Sequence, residues 1–169
     1  MNIRPATAGD EEGIAVAHVR AWQAAYRGIV SDVFLDGLNA AERATRWAEV
    51  LRDPNCKLLV AMKDDRVLGF VSFGKSREEQ AAPRDGEVWT MYVDPTSWRQ
   101  GVGQALMREA LSALERGGYA AVWVWVLQAN SQAIAFYESC GFALQPGTYR
   151  CFKLGGQDVA EVSLLHHAA

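Results

Sequence analysis

Ile14, Ala17, Ala21, Trp22 and Ala25 recur at helical spacing, and Thr7 followed by Asp10 has the form of a capping box just ahead of them. A first helix is therefore predicted, ending near residues 26–28, with a short strand over residues 2–4 before it. A second helical stretch runs from Ala40 to Leu51, with Trp47 and Leu51 on one face, and Asp53-Pro54 stops it. Three strands follow, over residues 57–63, 67–73 and 87–93. Asp64-Asp65 joins the first two in a space short enough for a hairpin, so that pair is antiparallel. After Asp94-Pro95, the segment Gly101-Val102-Gly103 opens a helix whose apolar side reads Val102, Leu106, Ala110 and Leu114, and Gly117-Gly118 ends it.

Residues 122–127 are apolar on both faces, the pattern of an interior strand covered on each side. Strand, crossover helix and strand then form one βαβ unit in an otherwise antiparallel pattern. Asn130-Ser131 caps a helix through Cys140, closed by Gly141, and two last strands lie near residues 148–154 and 159–166. The fold class is α/β (α+β): a mixed, mostly antiparallel sheet with helices on both faces.

Composition narrows this picture. The 169 residues suit a single domain over residues 1–169, and at this size a full core forms without disulfides or metal. Lys and Arg number 17 against 20 Asp and Glu, a net charge of −3, which argues against a nucleic-acid binder. Cys56, Cys140 and Cys151 are odd in number and have no CxxC pairing, and His18, His166 and His167 lack metal-ligand spacing, so no disulfide framework and no metal are predicted. The first ten residues lack the form of a signal peptide. The longest strongly apolar run is residues 120–127, against the roughly 20 residues a bilayer requires. A cytoplasmic protein without a membrane partner is expected.

Two glycine patterns carry chemistry on their face. GFVSFGKS, residues 69–76, satisfies the Walker A expression. A phosphate loop must be a turn whose amides converge on an anion, whereas Phe70-Val71-Ser72-Phe73 alternates like a strand, and the polar segment that follows cannot be the buried helix such a loop introduces. The nucleotide reading is rejected. Gly101-Val102-Gly103 lacks the third glycine of a dinucleotide fingerprint, Leu106 standing there instead. Its position at the carboxyl end of a strand, opening a helix, favours anion binding by free backbone amides over a plain turn.

EVWTMYVDPTSWRQGVGQAL, residues 87–106, resembles the acetyl-CoA signature of the GNAT superfamily of N-acetyltransferases, and NSQAIAFYESCGF, residues 130–142, resembles its second signature. The two stand in the superfamily's order and spacing, and its element order fits nearly the whole chain. One position departs: the first signature often begins with Arg or Gln three residues before the first glycine, and here it is Trp98. The resemblance implies that the parallel strands splay and that acetyl-CoA fills the gap as cosubstrate. Its pantetheine arm would pair with the backbone at Met91, Tyr92 and Val93. The amides of Trp98, Arg99, Gln100, Gly101, Val102, Gly103 and Gln104 would cradle the pyrophosphate, with Arg99 supplying charge.

The implied reaction is direct attack of a primary amine on the thioester. Tyr137 stands at the superfamily's general acid, and a phenol of pKa roughly 10 can serve a leaving thiolate; packing beside Ile134 and Phe136 is the other reading. Asn130 either hydrogen-bonds the pantetheine or only caps its helix. Glu87 lies 14 residues before Gly101, the separation found in members with a glutamate base on this strand. Strand alternation would put it with Trp89, Met91 and Val93, an apolar setting that raises its pKa for work through a water; the alternative is a solvated strand end. Trp22, Tyr26, Trp89 and Trp125 are the expected acceptor walls, because aromatic faces recognise cations, though each also suits a core. The acceptor is a small-molecule amine or a peptide N-terminus, and the chain is a monomer or homodimer. The rival from another class is a catalytically inactive acyl-CoA-binding sensor or interaction module.

Overall fold

Two consecutive aspartates reverse the chain at the first hairpin. Asp64 and Asp65 both lie in the left-handed region, with φ of 49° and 58°, the backbone a two-residue turn needs to match strand twist. In the computed structural model, which describes residues 1–78 and 81–167, that turn joins β2 (Lys57–Lys63) to β3 (Arg66–Lys75). The remaining strands are β1 (Asn2–Pro5), β4 (Asp85–Val93), β5 (Ala121–Leu127), β6 (Ala143–Leu154) and β7 (Gln157–His167). The helices are α1 (Glu11–Ala25), α2 (Asp32–Asp36), α3 (Ala40–Val50), α4 (Val102–Arg116) and α5 (Ser131–Ser139). All seven strands form one sheet in the order β1-β2-β3-β4-β5-β7-β6, antiparallel at every junction except the parallel pair β4–β5. The expected mixed architecture is therefore present. No helix among the described residues is long and apolar enough to cross a membrane.

Each face of the sheet has its own core. Val71, Phe73, Val88, Val122 and Val124 pack against Leu106, Met107, Ala110 and Leu114 of α4, with Tyr137 of α5 joining them. On the opposite face Val60, Val67 and Phe70 meet Ile14, Ala17 and Trp47 of α1 and α3. A third cluster, Tyr26, Val30, Leu35 and Leu127, is built around α2. Sequence pattern did not foresee α2: at five residues it is too short for a periodic signal, and burial of Leu35 holds it.

One irregularity shapes the centre of the sheet. Ser72 pairs with Thr90 while its neighbour Phe73 pairs with Val88, so Trp89 is an extra residue bulged out of β4. Gly74 makes room for it, since a Cβ there would lie 2.5 Å from the Trp89 ring. Hydrogen-bonded pairing of β4 with β5 ends at Val88↔Val124, beside the bulge, and the two strands part beyond it. This is why GFVSFGKS is strand: its last glycine serves a tryptophan rather than a phosphate.

Three expectations change in detail. Residues Val122, Val124 and Val126 are buried, but Trp123 and Trp125 on the other face of β5 are only half-buried. Trp123 donates to Asp85 (2.9 Å) and Trp125 carries the Arg150 guanidinium. Strand β6 starts at Ala143, ahead of the predicted Thr148, with a register break between Leu144 and Tyr149. The Thr7/Asp10 box forms only in part: the Asp10 carboxylate accepts from the Thr7 amide (2.7 Å) and the Thr7 hydroxyl (3.2 Å), but the Asp10 amide donates to the Thr7 carbonyl (3.1 Å) rather than to its hydroxyl.

Asp10 has a further partner, Arg4, which donates two bonds of 2.7 and 2.8 Å and tethers β1 to α1. The hydrogen bonds from Arg4 hold the buried carboxyl below its ordinary pKa. A carboxyl depressed on folding stabilises above its unfolded pKa and loses that contribution as pH falls through the folded value. Asp10→Asn should therefore cost about 1–2 kcal/mol at pH 7, and urea denaturation should show the gap from the parent narrowing below about pH 4. A gap that is constant with pH would mean the carboxylate charge contributes nothing.

Candidate active site

Backbone polar groups beyond Val88 and Val124 face each other across the parted strands with no ladder bond between them. The gap is the floor of a cleft of about 660 Å³. Its cradle is the start of α4, whose first-turn amides have no intrahelical acceptor. Gly101, the N-cap, has φ of 79°, which a side chain would strain, and a Cβ on Gly103 would come within 3.1 Å of Phe136. The loop can thus bring bare backbone to the cleft wall. Among the described residues no group of three or more His, Cys, Asp or Glu side chains could hold a metal ion.

Most of the predicted residues meet here. Met91, Tyr92, Val93, Trp98, Arg99, Gly101, Gly103, Gln104, Asn130 and Tyr137 line the cleft, as do Tyr26, Trp89 and Trp125. Val102 instead is buried in the α4 core, and exposed Gln100 turns back to donate to the Thr96 carbonyl (2.9 Å). Trp98, the departure from the superfamily's pattern, donates its indole N–H to the Val93 carbonyl (2.7 Å) and so closes the turn that ends β4. Arg99 follows in a left-handed conformation, φ 57°. Asn130 accepts from the Ala133 amide (3.1 Å) as a helix cap while also facing the cleft.

Tyr137 is buried, and that burial holds its phenol well above the ordinary pKa. Its hydroxyl has no hydrogen-bond partner among the described residues, although its ring packs edge-on against Phe136 and Phe142. It remains protonated at neutral pH and free to donate.

Glu87 is buried but does not line the cleft. Its carboxylate accepts from the Arg77 amide (2.9 Å) and the Ser76 hydroxyl (3.3 Å), and burial raises its pKa against those bonds. The bulge at Trp89 breaks the alternation on which its expected surroundings rested. Glu87 opposes Gly74 and so shares a face with Ser72 and Thr90, whereas Met91 and Val93 pack toward α4.

The four aromatic walls divide. Trp22 does not line the cleft; it packs against Tyr26, Phe34 and Tyr92, with Arg43 over its ring at 5.3 Å. Trp89 and Trp125 do line it, but each already carries one of the protein's own cations on a face, Arg77 at 3.8 Å and Arg150 at 4.1 Å. The Tyr26 and Tyr92 hydroxyls approach to 3.4 Å. Sequence reasoning missed Glu161, which reaches the cleft from β7. Its place depends on pairing with Leu127 of β5, a contact no local pattern reports.

The Acetyltransferase (GNAT) family model matches residues 16–142. The chain belongs to this family. It is accordingly an acyltransferase. The N-acetyltransferase YuaI of Bacillus subtilis (strain 168) is 30% identical over 166 residues, covering 97% of this chain and 91% of that protein. The [ribosomal protein bS18]-alanine N-acetyltransferase of Escherichia coli (strain K12) is 41% identical over 58 residues, covering 34% of this chain and 39% of its own. Among solved structures, the PaiA N-acetyltransferase of Thermoplasma acidophilum, crystallised with coenzyme A, shares the fold with a TM-score of 0.76 at 17% identity, covering 99% of this chain and 98% of that one.

Behind the GNAT cleft, Tyr92 stacks on His18 at 4.8 Å, and His18 Nδ1 accepts from the Trp47 indole (3.1 Å). Burial, with Arg43 nearby, lowers the imidazole pKa to about 3. The folded state thus refuses a proton that the unfolded chain takes near pH 6.5, so stability declines as pH falls below that value. The His18 ring resonances should show no titration down to about pH 4 by NMR; a midpoint near 6.5 would mean that this packing admits water.

Proposed function

We propose that this GNAT chain acts over its whole length as a single catalytic domain. It would transfer the acetyl group of acetyl-CoA to a primary amine by direct attack, with Tyr137 as general acid and Glu87 as base through water. The observation that carries the reading is the meeting of three elements in one cleft: an unpaired β4 edge, the free amides of an α4 N-terminus, and the unpartnered Tyr137 hydroxyl. Acetyl-CoA, when bound, supplies an activated thioester carbonyl. The backbone at Met91, Tyr92 and Val93 would pair with its extended arm, and Asn130 would bond that arm as well as cap its helix. Amides near Gly101 and Gly103, with Arg99, suit its pyrophosphate.

The acceptor nitrogen forms a C–N bond as the C–S bond breaks, so one proton must leave the ammonium and another must reach the sulfur. A thiol is ordinarily more acidic than a phenol, so transfer of the Tyr137 proton to the leaving sulfur runs slightly uphill and depends on a close hydrogen bond as charge builds there. Burial raises the phenol, and desolvation of a thiolate leaving in the same cleft would raise its basicity in the same direction. Glu87 is set back from the cleft, so its part requires a water relay past Trp89 and Thr90; the burial that raises its pKa makes it a stronger base than an exposed carboxylate.

The acceptor is a small-molecule amine or a peptide N-terminus. The second is supported by the relative named for the alanine of a ribosomal protein. Thiol release from acetyl-CoA over a panel of amines and short peptides tests the activity; coenzyme A binding with no release for any acceptor would favour a sensor instead.

Tyr137→Phe should lower kcat by about 10²–10⁴ while leaving acetyl-CoA affinity nearly unchanged; an undiminished rate removes Tyr137 as the acid. For Glu87→Gln the deficit should be largest at low pH and shrink as pH rises, because bulk solvent then supplies the free amine. A pH–rate profile matching the parent's would transfer the base role elsewhere.

A further inference from the structure

One carboxylate that lines the cleft, Glu161, has no role in the scheme above. We propose that Glu161 binds the ammonium group of the acceptor and so selects amines that are cationic in solution; this rests on the acetyl-transfer reading. Glu161 is the one Asp or Glu among the described residues lining the cleft. Its side chain is 20% exposed, buried enough for charge to matter and open enough to be reached.

Its bonding is half-complete. Oε2 accepts from Arg150 Nε (3.1 Å), while Oε1 has no hydrogen-bond partner among the described residues. The same Arg150 also donates to Glu78 (3.1 Å), so one guanidinium serves two carboxylates and one negative charge is left over. An arriving ammonium would compensate it with a charge-assisted hydrogen bond. The negative charge is felt locally, since it helps to raise the Tyr26 and Tyr92 phenols after the larger effect of burial.

Two further features place the cation here. The cleft-facing Trp89 and Trp125 rings already hold Arg77 and Arg150, so cation recognition falls to a carboxylate rather than to those faces. The cleft lining also carries both signs of charge, with Arg99 and the start of α4 contributed after β4 and Glu161 contributed by β7. A cosubstrate phosphate and a cationic acceptor would each find the opposite charge. Glu161 removes no proton in this scheme: one acceptor N–H stays on Oε1 while another proton leaves.

The test compares the parent with Glu161→Gln and Arg150→Gln, using n-butylamine, alanine amide and methoxyamine, the last uncharged at pH 7.5. In Glu161→Gln, KM for the first two should rise about 10- to 100-fold, with kcat and the acetyl-CoA KM within about threefold and methoxyamine unaffected. Arg150→Gln should not reproduce that pattern, which a merely structural role for Glu161 would require. Equal KM values in parent and Glu161→Gln overturn the anchor and leave acetyl transfer standing. Should the parent acetylate none of the amines, acetyl transfer to these acceptors fails on its own. Calorimetry of n-butylamine with the coenzyme A-saturated protein then decides the anchor: binding lost in Glu161→Gln supports it, and no difference overturns it.

Discussion

Everything in the cleft depends on two strands that stop pairing. Backbone N–H and C=O groups are costly to leave without partners in a protein interior, yet β4 and β5 keep only four paired positions, from Asp85↔Ala121 to Val88↔Val124. The bulge at Trp89 bends β4 where the ladder ends, and Met91 then packs toward α4, with its methyl 3.5 Å from the Cβ position of Gly103. The opening is therefore held from both sides, by the bulge within the sheet and by α4 and α5 behind it. A ligand with an extended polar arm can complete the missing ladder.

The same parting sorts the chemistry by face. Side chains toward α4 and α5 supply an apolar wall that ends in Tyr137, and those toward α1 and α2 supply phenols, tryptophans and charge. A net charge of −3 leaves any attraction for an anion to local groups, and the cleft lining holds both signs, Arg99 and Glu161.

How much of this was legible beforehand follows from the range of the interactions. The hairpin at Asp64-Asp65, the α4 start at Gly101 and the cap at Asn130 are set by neighbours in sequence, and they stand where the pattern put them. The surroundings of Glu87 were misread because one bulged residue inverts the face of every side chain beyond it, and Trp89 carries no local mark of a bulge. Glu161 and the two Arg–Trp stacks were invisible for another reason. Arg150 meets Trp125 and Glu78 only through the register of β6, β7 and β5, which strand propensity does not specify.

Trp98 shows how a departure from a motif can be absorbed. An Arg or Gln in its place would offer a polar side chain to the cofactor loop; the indole instead spends its N–H on the Val93 carbonyl at 2.7 Å, fixing the end of β4 to the turn. That anchor makes the next residue's conformation tolerable. Arg99 sits at φ 57°, a region that costs a non-glycine residue about 1–3 kcal/mol, and the strain persists because Trp98 before it and α4 after it leave the backbone no other course. Arg99 thereby joins the cleft lining two residues before Gly101, the N-cap of α4. A positive charge thus stands one residue further along the chain, next to a tryptophan that is bonded to the end of β4.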